Sequence, residues 1–94
     1  MKIKEIILLP SVIDKLIWKH HISEQEVREG LRNKPKFRKI ENGKVDDEDL
    51  YSALCRTTQG RYLIIFFIYK KTHDALIISA RDMNDHERKK YEKK

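Results

Sequence analysis

Three arginines stand where apolar runs break off. Arg56 falls near the end of "LYSALCRT", Arg61 opens "RYLIIFFIYK", and Arg81 closes "ALIISAR". A guanidinium cannot shed its charge in water, and its planar fork of donors matches the oxygens of a phosphate. Side chains alternate along a strand, so Arg56 shares a face with Ser52 and Leu54, and Arg81 with Ala75, Ile77 and Ser79. If the three runs are successive strands of a meander, Arg56 and Arg61 flank one hairpin turn. Arg81 then runs in the same direction as Arg56. All three fall at one end of the sheet, an arrangement that could clamp a phosphate. The competing reading is that each arginine snorkels at the sheet rim or pairs with a nearby acid.

Lys19 and His20 are the other candidates. Histidine titrates near neutral pH, as acid–base work in phosphodiester cleavage requires. A histidine at a helix C-terminus is also a favourable cap, because the helix dipole attracts positive charge there. Glu87 reads as a cap, Tyr91 as an anchor onto the sheet, and Cys55 as a small core residue. His20 and His21 are adjacent and point to different faces, and no HxH, HxxxH or CxxC pairing is present. No metal and no cofactor are therefore expected. The three glycines are isolated, so there is no glycine-rich phosphate loop.

These residues need elements to hold them. "IKEIILL" before Pro10 is a short strand candidate. Val12, Ile13, Leu16, Ile17 and His20 recur at helical spacing, predicting a helix over 12–21 capped by Ser11. Ser23 and Glu26 form a capping box for a second helix over about 24–33, with Ile22 and Val27 placed as a hydrophobic staple. "KFRKIENGKVDDEDL" reads as a strand, an Asn42-Gly43 turn and an acidic loop. Strands follow over 50–57, 61–70 and 75–81. The middle one is apolar on both faces and should be central. Asn84 and Glu87 repeat the capping spacing before a last helix over about 85–93. The expected architecture is α+β: one domain over residues 1–94, with an antiparallel meander and helices packed on one face.

Net charge is +6, with Asp46, Asp47, Glu48 and Asp49 in one acidic block. Basic residues cluster at 34–39 and 88–94. Such clusters fit nucleic acid or an acidic protein partner, or simply a solvated surface. The single cysteine excludes an intramolecular disulfide and fits the cytoplasm. The apolar N-terminal run is too short to span a membrane.

Three segments resemble one family. "KHHISEQEV" is similar to the K-H-G-[VI]-S-x-x-E segment of BrnT proteins. "EDLYSALCRTTQGRYLIIFFIYKK" resembles their middle strands, with a G-R-T-x-x-G-R pattern. "IISARDMNDHERKKY" resembles their I-S-A-R-x-[AM]-x-x-x-E-R-x-x-Y ending. The likeness spans about residues 12–91. His21 and Cys55 stand where the family usually has glycine, and the family's aromatic-x-Trp-Asp opening is not evident. The resemblance implies a RelE-like fold and a toxin of a type II toxin–antitoxin pair. It implies a ribonuclease that blocks translation and is neutralised by a BrnA-like antitoxin, which alone contacts operator DNA. Matched polar positions are Lys19, His20, Glu26, Arg56, Arg61, Arg81, Glu87, Arg88 and Tyr91. The implied chemistry is metal-independent attack of a ribose 2′-OH on the adjacent phosphate, with Lys19 or His20 as acid or base and Arg56, Arg61 and Arg81 as the charge clamp. A protein that kept the fold but lost catalysis, acting by binding alone, remains the alternative.

Overall fold

A computed structural model describes residues 1–43 and 48–93. Most of the expected acidic loop, including Asp46 and Asp47, lies outside the described residues. The element order is β1 (Ile6–Ile7), α1 (Pro10–His20), α2 (Glu24–Arg32), β2 (Lys36–Glu41), β3 (Asp49–Arg56), β4 (Tyr62–Tyr69), β5 (Ala75–Asp82) and α3 (Asp85–Glu92). The fold is α+β, with a five-stranded sheet in the order β1-β5-β4-β3-β2. Strands β2 to β5 form the expected antiparallel meander. β1 adds a short parallel strand beside Ala75 and Leu76, which makes the sheet mixed.

Local chemistry sets the helix ends. α1 starts one turn-position earlier than the periodicity suggested. Leu9 occupies the cap position and Pro10 the first helical position, so Ser11 lies inside the helix rather than capping it. Proline suits that place because its fixed φ is helical and its missing N–H had no partner to lose. α1 ends at His21, whose φ of 53° is left-handed. α2 and α3 both open with complete capping boxes, Ser23 with Glu26 and Asn84 with Glu87.

Strand alternation divides the sheet into two faces. Leu63, Ile65 and Phe67 of β4 point to one side with Ala53 and Cys55 of β3, and all five are fully buried. Leu16 of α1 and Val27 and Leu31 of α2 cover them, with Ile22 buried at the junction of the two helices. Each of the larger side chains stabilises the fold by about 1.5–3 kcal/mol through burial. α2 lies close on β3 because Gly30 has no side chain: a Cβ there would come within 2.6 Å of the Cys55 sulfur. Burial pushes the Cys55 thiol up to about 12, which makes it an inert packing group.

α1 and α2 share the covered face, and α3 does not join them. It docks at the end of the opposite face, reaching Arg81 through Glu87 and Tyr62 through Tyr91. Among the described residues no other helix lies on that second face, where Ile64, Phe66 and Leu54 line a pocket.

Candidate functional site

The three arginines do lie at one end of the sheet, but they do not share one cleft. Arg61 precedes β4 and turns toward the helices. Its Nε and Nη2 donate to the two carboxylate oxygens of Asp82 at 2.8 and 3.1 Å. Nη1 donates to the His21 carbonyl at 2.7 Å, and Nη2 to the His20 carbonyl at 2.9 Å. Nη1 also meets Glu26 at 3.2 Å. Those carbonyls belong to the end of α1, where no intrahelical partner exists. Arg61 thus ties α1, α2 and β5 together, and every direction of its fork is used. Asp82 is held below its ordinary carboxylate range by the hydrogen bonds from Arg61, with His20 adding a smaller push in the same direction. Burial pushes Glu26 up, but the Ser23 backbone N–H and Arg61 outweigh it and the net shift is down.

Arg81 points to the other face, and a bulge is the reason. Simple alternation puts Arg81 with Ala75 and Ile77. The ladder between β4 and β5 instead slips: Phe67 pairs with Ile77, and Phe66 with Ser79. Ile78 is the extra residue, and it stands exposed. Beyond it, Ala80 takes the core side opposite Ile65, and Arg81 takes the open side opposite Ile64. One added residue re-aims every side chain after it. Arg81 there meets Glu87, donating from Nη1 and Nη2 to both carboxylate oxygens at 2.8 Å each. This fork-to-carboxylate pair raises Arg81 above the usual arginine range and holds Glu87 below the usual carboxylate range.

Around that pair lies a cleft of about 330 Å³ on the open face. Leu54, Ile64 and Phe66 form its apolar floor, and β2 and α3 form its walls. Among the described residues four permanent cations line it, Lys36, Arg38, Arg81 and Lys90, with His86 beside them and Glu87 as the one carboxylate. Lys36 also donates to the Tyr91 and Lys93 carbonyls at the end of α3. Arg81 lies 5.8 Å from the Phe66 ring centre, within reach of a cation–π contact.

Arg56 occupies the same open face but a different spot. Its guanidinium sits 4.9 Å from the Tyr62 ring centre, and that of Arg88 sits 4.1 Å from the same ring. Tyr91 closes the cluster edge-on to Tyr62, confirming the tyrosine as an anchor of α3. Among the described residues Arg56 has no carboxylate partner within ion-pair distance. Gly60, at φ 95°, lets the turn pass beneath it: a Cβ there would come within 3.2 Å of Arg56 Nη2.

The structure therefore divides the sequence-selected residues. Arg56 and Arg81 lie on the open face. Arg61, Lys19 and His20 lie on the helical side, where Arg61 and the carbonyls of His20 and His21 form an internal brace. Lys36, Arg38 and Lys90 stand out in the sequence only as members of the basic clusters at 34–39 and 88–94, and His86 does not stand out at all. The signal available for the first two was the alternation of "KFRKI", which puts Lys36 and Arg38 on one face of β2. For His86 and Lys90 it was their spacing of four on α3, which places them on one helical face. No protein-family model and no curated protein matches the chain.

Proposed function

We propose that the chain is a BrnT-like ribonuclease toxin that works on RNA at the open face of its sheet, in the cytoplasm, and is neutralised by a BrnA-like antitoxin. The observation that carries this reading is the cleft itself. Four permanent cations converge on an apolar floor that includes an aromatic ring. A nucleotide has the matching character: a flat, largely apolar base and a charged phosphate. Arg81, Lys36, Arg38 and Lys90 would hold the phosphoryl oxygens and stabilise the charge that grows on them during attack by the neighbouring 2′-OH.

The resemblance gains a physical support at His21. BrnT proteins usually carry glycine at that position, and the backbone here is left-handed, φ 53°. Glycine adopts that conformation without strain, and it is a common residue just past a helix end. The Cys55 position is also one where little space is left, since a Cβ on the facing Gly30 of α2 would come within 2.6 Å of its sulfur.

The test is direct. Purified chain is incubated with a labelled single-stranded RNA and with the DNA of the same sequence, with and without a chelator. The reading predicts cut RNA, intact DNA and no loss of cutting on chelation. Expression without the antitoxin should arrest growth, and co-expression with it should restore growth. Uncut RNA together with unimpaired growth would overturn the reading. The second reading, a binding protein of the same fold, is favoured by one observation. Arg61 is saturated by internal acceptors and Arg81 is engaged by Glu87, so two of the three clamp arginines are already committed.

A further inference from the structure

We infer that His86 is the general base of the reaction, a role that rests on the ribonuclease reading above. Cleavage through a 2′-OH needs one group that can take a proton near neutral pH, close to cations that hold the phosphate. Lys36 and Arg38 from β2, Arg81 from β5 and Lys90 from α3 face the cleft as permanent donors and cannot serve. Ser52 is an alcohol, too weak a base without a partner of its own. Glu87, beside His86 in sequence, is the only carboxylate there among the described residues. It is committed to Arg81 through both oxygens and to the Asn84 backbone N–H. A carboxylate held down in this way is a poor proton acceptor. Histidine is the side-chain type suited to moving protons near neutral pH, and His86 is the one imidazole in the cleft among the described residues. Lys19 and His20 sit on the far side of the sheet from these cations.

The position also suits the work. His86 is exposed at the mouth of the cleft, in the first turn of α3. Its helix is fastened to the sheet by the Arg81–Glu87 pair one residue away. The imidazole therefore has a fixed base and an open approach. In the step, the His86 imidazole takes the proton of the 2′-OH as the 2′-oxygen bonds to phosphorus. The bond from phosphorus to the 5′-oxygen of the next nucleotide breaks, and that oxygen takes a proton from water. The products are a 2′,3′-cyclic phosphate and a 5′-hydroxyl end, and His86 then returns its proton to solvent.

The His86 side chain is exposed and makes no hydrogen bond or ion pair among the described residues, so its replacement should leave the fold in place. His86→Gln and His86→Ala are compared with the parental chain on a labelled single-stranded RNA between pH 5 and 8. The parental rate should rise with pH through the histidine range. Both variants should lose about a hundredfold or more in kcat with little change in KM, and the rise with pH should disappear. Added imidazole should restore part of the rate to His86→Ala. A parental chain that cuts RNA beside variants that cut it equally well would overturn the role of His86 and leave the ribonuclease reading standing. A parental chain that cuts no RNA would overturn both. An unchanged pH profile in His86→Gln, at reduced rate, would show a merely structural role and also overturn the inference.

Discussion

Arg61 and Arg81 carry the same charge at the same end of the sheet and do different work. Arg61 is a brace: two main-chain carbonyls and two carboxylates fill its fork. Replacing it by Met should destabilise the fold by about 2–3 kcal/mol, since charge-assisted hydrogen bonds are lost and helix-end carbonyls are stranded. Chemical denaturation measures this directly. The brace and the Arg81–Glu87 pair together set the acid limit of the fold. Asp82, Glu26 and Glu87 all titrate below their ordinary values of 3.8, 4.5 and 4.5 when folded. A depressed folded-state value gives stability that is complete above the unfolded value and is lost as pH falls through the folded one. The melting temperature should hold from pH 7 to about 5 and fall below about 4. The fall should be shallower in Arg61→Met, and an equal slope in both proteins would remove the brace as its cause. Arg81, by contrast, faces the cleft. Arg81→Ala should lower RNA cleavage by about a hundredfold, the usual cost of one charged contact to a transition state. A parental rate in that variant would take Arg81 out of the mechanism.

At the scale of elements, most of the fold was legible in the sequence. Ser23 with Glu26 and Asn84 with Glu87 mark two helix starts, and both boxes form. "YLIIFFI" announces the central strand, and β4 lies third of five. The sheet end shared by Arg56, Arg61 and Arg81 was legible as well. Their division between faces was not, because a bulge has no period: nothing in "ALIISAR" marks Ile78 as the residue that drops out of register. The parallel pairing of β1 was equally hidden, since Ile6 and Ile7 join β5 from the far end of the chain. Nor could sequence show that Arg81 would find Glu87, because that pairing needs α3 to fold back over the open face. The packing of α2 on β3 gives a test at this scale. Gly30→Ala should destabilise by about 1–3 kcal/mol, because the new methyl group meets the Cys55 sulfur. Adding Cys55→Ala should recover part of that loss. Additive losses in the double variant would mean that the contact does not limit the approach of the helix.

For the whole molecule, charge sets which surfaces it attracts and which it repels. A net charge of +6, with one sheet face lined by Lys36, Arg38, Arg81 and Lys90, repels copies of itself and attracts polyanions and acidic proteins. An antitoxin that covers the open face should bind quickly, and its association rate should fall as salt rises, since exposed charges beyond about 10 Å are screened at 0.1 M. A rate indifferent to salt would mean that charge does not steer the encounter. The same field draws RNA to any basic surface, so cleavage has to be separated from simple attraction. Two double variants do this at equal change of net charge. Arg38→Glu with Lys90→Glu reverses two cations of the cleft, and Lys15→Glu with Lys71→Glu reverses two exposed cations away from it. Cleavage of one labelled single-stranded RNA by the parental chain and by both variants is the measurement that bears most directly on an open-face ribonuclease. The first variant should lose nearly all activity and the second should keep most of it. Equal cleavage by the two variants would contradict the placement of the reaction on the open face of the sheet.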